Sequence, residues 1–334
     1  MLNVLEFLAG LALAVLTLRD VFDTVIVPGG SRGMLRVVRR LVSVALPFSR
    51  RIGRPGIGLS FGPMVLVAAF VVWMLLLVLG FGLIADSTRD SFAPPLQTFG
   101  QALYAAGSAL TTIGLTQEKV AGPAAAVIVA AGFCGLAVLT LAVTYMLEVQ
   151  SSVARRDTGV LKLTTPSGQP PSAVGLLERY AAIGCRDELL PVLRDGLDWC
   201  AVVLQSHASH PSLVYFRSAG VGSGWPATLA TLMDLSLIFE FVIDEPELRG
   251  LGMLVRDEAE HLARELTSLL ELEPVAIADT PSQVGVLCTR LRAAGYDVRA
   301  DLDVSAFIAA RAAQLGPIEA LSRHIGLPGA PLVG

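Results

Sequence analysis

Apolar residues fill the first 150 positions in long blocks, then give way to shorter periodic stretches. Residues 2–18 are apolar except for Asn3, Glu6 and Thr17, and the apolar character resumes from Val21 to Val27. Residues 62–85 form 24 consecutive uncharged positions, and residues 121–147 form 27. At 1.5 Å per residue, each of these two runs exceeds a hydrocarbon core of about 30 Å. The pattern predicts three membrane spans, over residues 3–27, 62–85 and 121–147, the first ended by Pro28-Gly29-Gly30. Arg19, Asp20 and Asp23 interrupt the first span, where Arg19 can pair with either acid. They either snorkel at a membrane interface or make a buried contact with neighbouring helices, since charge within a membrane is costly and seldom idle. The early charge is Glu6 and the basic residues follow the segment, so a cleaved leader is not expected.

Between the first two spans, residues 34–48 put Arg36, Arg39, Arg40 and Ser43 on one helical face. Leu35, Val38, Leu41, Val42 and Leu46 fall on the other, a pattern that suits a short helix on an anionic membrane surface. Between the last two spans the chain leaves, does something and returns. Asp86 to Pro95 is polar. From Leu96 onward, Phe99, Leu103, Ala106, Gly107 and Leu110 recur at three and four, which predicts a helix of about 14 residues. Such a helix spans about 21 Å and descends only part way through a bilayer. It ends in Thr111-Thr112-Ile113-Gly114-Leu115-Thr116. Non-helical backbone at membrane depth is tolerated only where protein buries it or it lines a watery cavity, so a re-entrant pore loop is expected here. The negative end of the short helix would favour a cation. Gly114 permits the dihedrals that let successive carbonyls face one axis.

Charge placement orients the spans. Eight arginines lie between Arg19 and Arg54, and Arg155, Arg156 and Lys162 follow the last span, whereas the 86–120 loop holds only Arg89 and Lys119 as basic residues. The positive-inside rule puts residues 28–60 and 150–334 in the cytoplasm, with the 86–120 loop and the N-terminus outside, in a multi-pass protein of the cell membrane. Only 16% of the 334 residues are charged and 53% are hydrophobic, which reinforces membrane residence. Residues 173–334 carry 21 acids against 12 arginines, so no basic nucleic-acid surface is expected. Cys134, Cys185, Cys200 and Cys288 show no paired spacing and read as free thiols.

Helix, TTIGLT loop and helix, over residues 60–150, resemble the pore module of the potassium-channel superfamily. Against that family's Thr-Val-Gly-Tyr-Gly filter, Thr112, Ile113 and Gly114 match, while Leu115, Thr116 and Gln117 depart from the tyrosine, second glycine and aspartate. The resemblance implies a homotetramer in the lipid bilayer with a selectivity filter over Thr111–Thr116. Backbone carbonyls of Thr112, Ile113 and Gly114 would coordinate potassium, with sodium also passing if the altered outer half weakens selectivity. The single glycine also resembles Trk-type transporters. Gly132 and Gly135 correspond to the gating-hinge region of the family's last helix, although close helix packing through small residues explains them equally. Thr140, Thr144 and Glu148 share one face at spacing four and suit a polar pore lining.

The expected organisation is an all-α membrane protein with three transmembrane helices and one pore loop per subunit. Residues 1–60 hold the first span and the basic helix, 61–149 the channel module, 150–172 a Ser/Thr/Pro/Gly linker and 173–334 a mainly helical cytoplasmic domain. Helices are expected over 173–183, 185–206, 226–243, 247–270, 281–295 and 302–325, with 213–216 a strand or short helix. Gly220-Val221-Gly222-Ser223-Gly224 lacks dinucleotide-site spacing and reads as a loop. Cys200, His207 and His210 lack a zinc pattern, and Asp257, Glu258, Glu260, His261 and Glu265 read as a solvated acidic face. No enzyme motif, resident metal or cofactor is expected beyond the permeant ion, and no cytoplasmic ligand is named by the sequence. A non-conducting membrane sensor or scaffold is the alternative function.

Overall fold

The computed structural model describes residues 2–27, 36–52, 55–114, 119–168, 170–218 and 224–334. These residues are mostly helical and divide into two compact units, Met1–Gln150 and Ser151–Gly334.

The first unit contains α1 (Leu2–Val25), α2 (Val37–Ile52), α3 (Pro55–Ser87), α4 (Phe99–Leu110) and the start of α5 (Pro123–Thr164). α1 meets α3 at a glycine crossing, where a Cβ on Gly10 would stand 2.5 Å from the Gly80 carbonyl. Small residues at such a crossing let two backbones approach closely and gain dispersion contacts. Asp20 is buried on α1 and accepts hydrogen bonds from the Arg36 N–H (2.7 Å), the Val37 N–H (3.3 Å) and the Trp73 indole N–H (2.8 Å). The carboxylate thereby caps the start of α2 from another helix and ties both to α3. Of the two readings for the charged cluster, Asp20 takes the buried contact, whereas Arg19 stays exposed and reaches Asp23 at 3.7 Å.

Arg36, just before α2, and Arg39, Arg40 and Ser43 on it are exposed as expected; of the expected apolar face Val42 is buried and Val38, Leu41 and Leu46 are half-buried, Val37 is buried beside them, and Leu35 lies outside the described residues. Its first turn is bonded to Asp20 at the level of Trp73, and only residues 53–54 separate Ile52 from Pro55. Those two ties make α2 run antiparallel beside the first half of α3, about 24 Å of helix against about 27 Å.

Among the described residues, three helices are long and apolar enough to cross a membrane: Ser60–Ser87, Pro123–Thr164 and Gly224–Val242. Two of them coincide with expected spans. α1, interrupted by Arg19, Asp20 and Asp23, is not among them. The third is 89% buried inside the second unit and is its central core helix. A helix that is apolar on every side is buried, in lipid or in protein, and composition alone does not distinguish the two.

The linker expected over 150–172 is corrected in its first two thirds. α5 continues without a break to Thr164, because residues 150–164 hold no proline and only Gly159. The Thr158, Thr164 and Thr165 hydroxyls bond back to the carbonyls of Ala154, Val160 and Leu161. Pro166 and Gly168 then end the helix. Beyond it come α6 (Ala173–Ala182), α7 (Leu189–Ser209), α8 (Gly224–Leu237, extended by a π-turn through Val242), α9 (Pro246–Leu269), α10 (Pro281–Ala293) and α11 (Val304–Ile325), close to the six expected helices. Residues 213–216 belong to a short 3-10 turn, Pro211–Tyr215, and its following residue. Inside the core, Arg311 holds Asp234 through two bonds (2.6 and 2.9 Å) and Asp279 through a third (2.5 Å), so each buried charge has a partner.

Candidate functional site

The excursion between α3 and α5 returns to where it left. β1 (Phe92–Ala93) pairs antiparallel with β2 (Lys119–Val120), Phe92 opposite Val120. Between these strands α4 begins at a capping box, with the Thr98 hydroxyl accepting from the Gln101 N–H and the Gln101 side chain accepting from the Thr98 N–H. The helix is 12 residues long, two fewer than expected, because Thr98 starts it later than the apolar spacing suggested. It measures about 18 Å. It buries Ala102, Ala105, Ala106, Ser108 and Leu110. Gly82 of α3 makes room for Leu103, whose Cδ2 would stand 2.6 Å from a Cβ there.

The C-terminus of α4 closes as a Schellman motif. The Thr112 N–H bonds the Ala109 carbonyl and the Ile113 N–H bonds the Ser108 carbonyl, both at 3.0 Å. The Thr111 hydroxyl donates to the Gly107 carbonyl at 2.7 Å. Thr112 has φ 58° and Gly114 has φ 69°, while Ile113 between them keeps a negative φ. A positive φ is ordinary for glycine but a genuine outlier for β-branched threonine. Positive φ on either side of a negative one also departs from the uniform dihedrals of an extended strand. Thr111, Thr112, Ile113 and Gly114 are all exposed on the single chain, Ile113 at 59%. Leu115, Thr116 and Gln117, the departures from the filter pattern, lie outside the described residues.

No protein-family model, characterised protein or solved structure matches this chain. The site therefore rests on its own geometry.

Gly132 and Gly135 sit in unbroken helix. A Cβ at Gly132 would lie an ordinary 3.4 Å from the Ala109 carbonyl, but one at Gly135 would lie 1.9 Å from the Leu110 carbonyl oxygen. Close packing therefore accounts for Gly135 without any appeal to bending. Thr140, Thr144 and Glu148 are exposed on the single chain. The two hydroxyls donate to the carbonyls of Leu136 and Thr140, each at 2.9 Å. Apolar exposure surrounds them on the same helix, with Phe133 at 73% and Leu147 at 62%.

The other clusters belong to the second unit. Among the described residues no three His, Cys, Asp or Glu side chains converge as metal ligands. Burial pushes the Cys200 thiol up, which leaves it inert. His207 is fully buried and donates from Nδ1 to the Val203 carbonyl at 2.8 Å. Burial first, and the Arg156 guanidinium second, push its pKa down to about 3. In the acidic stretch of α9, Asp257 is paired with Arg256 and Glu260 with Arg264. Of Gly220–Gly224 only Gly224 is described, at the start of α8.

The apolar pattern left Asp20 open between an interface and a buried contact, and it did not single out Trp73. A lone tryptophan centred in an uncharged span, with an acid in the preceding apolar block, was the available signal.

Proposed function

We propose that the chain forms a homotetrameric cation channel of the cell membrane, passing potassium through backbone carbonyls of Thr112, Ile113 and Gly114. The observation that carries this reading is the alternating φ at those three residues, at the tip of a helix too short to cross a bilayer. Two helices long enough to cross flank it, and the paired strands close the excursion on itself. A tetramer is needed because a single loop, exposed on its own chain, cannot enclose an ion. Carbonyl rings would replace water around the ion, and exposed Thr140, Thr144 and Glu148 would line the approach from the cytoplasmic side. With Leu115 and Thr116 in place of the family's aromatic and glycine, sodium is expected to compete more than in a complete filter.

Purified protein in liposomes tests the reading by potassium and sodium flux. The parent conducts potassium, and Gly114→Val, which forces a β-branched residue to φ 69°, abolishes flux while the tetramer persists. Retained flux in that variant would mean that ions travel elsewhere. A second reading, a non-conducting membrane sensor, draws on the Schellman closure, since that motif also ends ordinary helices. A monomer or dimer in mild detergent would favour it.

A further inference from the structure

We infer that Gly135 is a positioning residue for the loop, a seat for the end of α4 rather than a hinge in α5. The inference rests on the channel reading and deepens it. α4 is held at two glycines, Gly82 beside Leu103 and Gly135 beside Leu110. The first touches a side chain, which can turn aside. The second touches backbone: a Cβ at Gly135 would lie 1.9 Å from the Leu110 oxygen, 2.6 Å from its carbonyl carbon and 2.7 Å from its Cα. Carbon and a carbonyl oxygen sit no closer than about 3.3 Å, so even alanine must drive the α4 terminus away by more than about 1 Å. Leu110 is the last residue of α4, and Thr111 and Thr112 follow it directly. The Schellman bonds tie Thr112 and Ile113 to Ala109 and Ser108, so the loop moves with the helix end. A displacement of that size alters the radius at which every loop carbonyl stands from a symmetry axis. Gly132, with 3.4 Å of clearance from the Ala109 carbonyl, carries no such constraint.

The hinge and seat roles separate by moving the glycine. Leu139 is one turn further along α5 and 62% exposed, so Leu139→Gly restores a flexible point to the helix without touching the seat. Parent, Gly132→Ala, Gly135→Ala and Gly135→Ala/Leu139→Gly are reconstituted in liposomes and compared for the potassium-to-sodium flux ratio at equal tetramer loading. The seat role predicts that Gly132→Ala keeps the parent ratio. It also predicts that Gly135→Ala loses at least tenfold in ratio or in potassium flux, and that the double variant does not recover it. Recovery in the double variant, or a Gly135→Ala protein with the parent's ratio and flux, overturns the inference while leaving the channel standing. A parent without flux removes the channel reading and this inference with it. If Gly135→Ala homotetramers do not assemble, the variant is co-expressed with an excess of parent chain. A parent-like flux ratio in those mixed tetramers overturns the seat, and a reduced ratio supports it.

Discussion

Thr112 holds a left-handed backbone that costs a β-branched residue about 1–2 kcal/mol, at a helix end where glycine would do the same job without strain. Strain retained in this way is informative when the side chain offers something glycine lacks. Here the hydroxyl makes no hydrogen bond among the described residues and stands exposed beside Gly114. On the channel reading, Thr112→Gly should therefore act in opposite directions on two measurements. Thermal unfolding of the purified protein should rise by about 1 kcal/mol of stability, and potassium flux in liposomes should fall. A variant that gains stability and loses no flux would leave the hydroxyl without a role. The threonine and glycine were legible from the letters TTIG alone. The cap was not, because a Schellman closure depends on the dihedral of one residue, and threonine is the wrong residue from which to expect it.

Most helices could be read from apolar period and punctuation; the failures fall at two helix ends set by local side-chain bonds and at one joint made by a distant partner. α4 begins at Thr98 because a threonine and a glutamine three residues apart form a capping box, a signal present in the sequence that the apolar spacing outweighed. α5 runs to Thr164 through a stretch rich in serine and threonine, whose hydroxyls bond their own helix instead of breaking it. α2 is the clearest case. Its amphipathic face was evident, but its direction beside α3 is fixed by Asp20, 16 positions before Arg36 and 53 before Trp73. Asp20→Ala leaves a buried indole N–H and two helix-end amides without their acceptor and should cost roughly 2–4 kcal/mol in detergent unfolding. Asp20→Asn keeps one carbonyl oxygen as acceptor and should cost less. Equal losses for the two variants would show that charge, not hydrogen bonding, is what the joint needs.

For the molecule as a whole, the two units answer to different conditions. The second unit keeps His207 neutral in its core, against Trp225 at 5.3 Å between ring centres and near the Arg156 guanidinium, which donates to the Leu213 and Phe216 carbonyls. An unfolded chain takes up a proton at this residue near its ordinary 6.5, whereas the folded one resists until about 3. Protons therefore favour the unfolded state across that window. Stability is full above 6.5 and drains as the pH falls toward 3, by up to roughly 5 kcal/mol. Unfolding followed by tryptophan fluorescence should show a shallower loss between pH 6.5 and 4.5 in His207→Gln than in the parent; parallel curves would assign the acid sensitivity to carboxylates. The first unit has its own condition, and it concerns the order of synthesis. Asp20 emerges from the ribosome 53 residues ahead of the indole that shares its charge. Until α3 exists, that carboxylate lacks its indole donor and has only the Arg36 and Val37 amides of α2 to offset the cost of leaving water. On the channel reading, α1 then waits at the membrane surface during translation and enters as the late partner of a helix made after it.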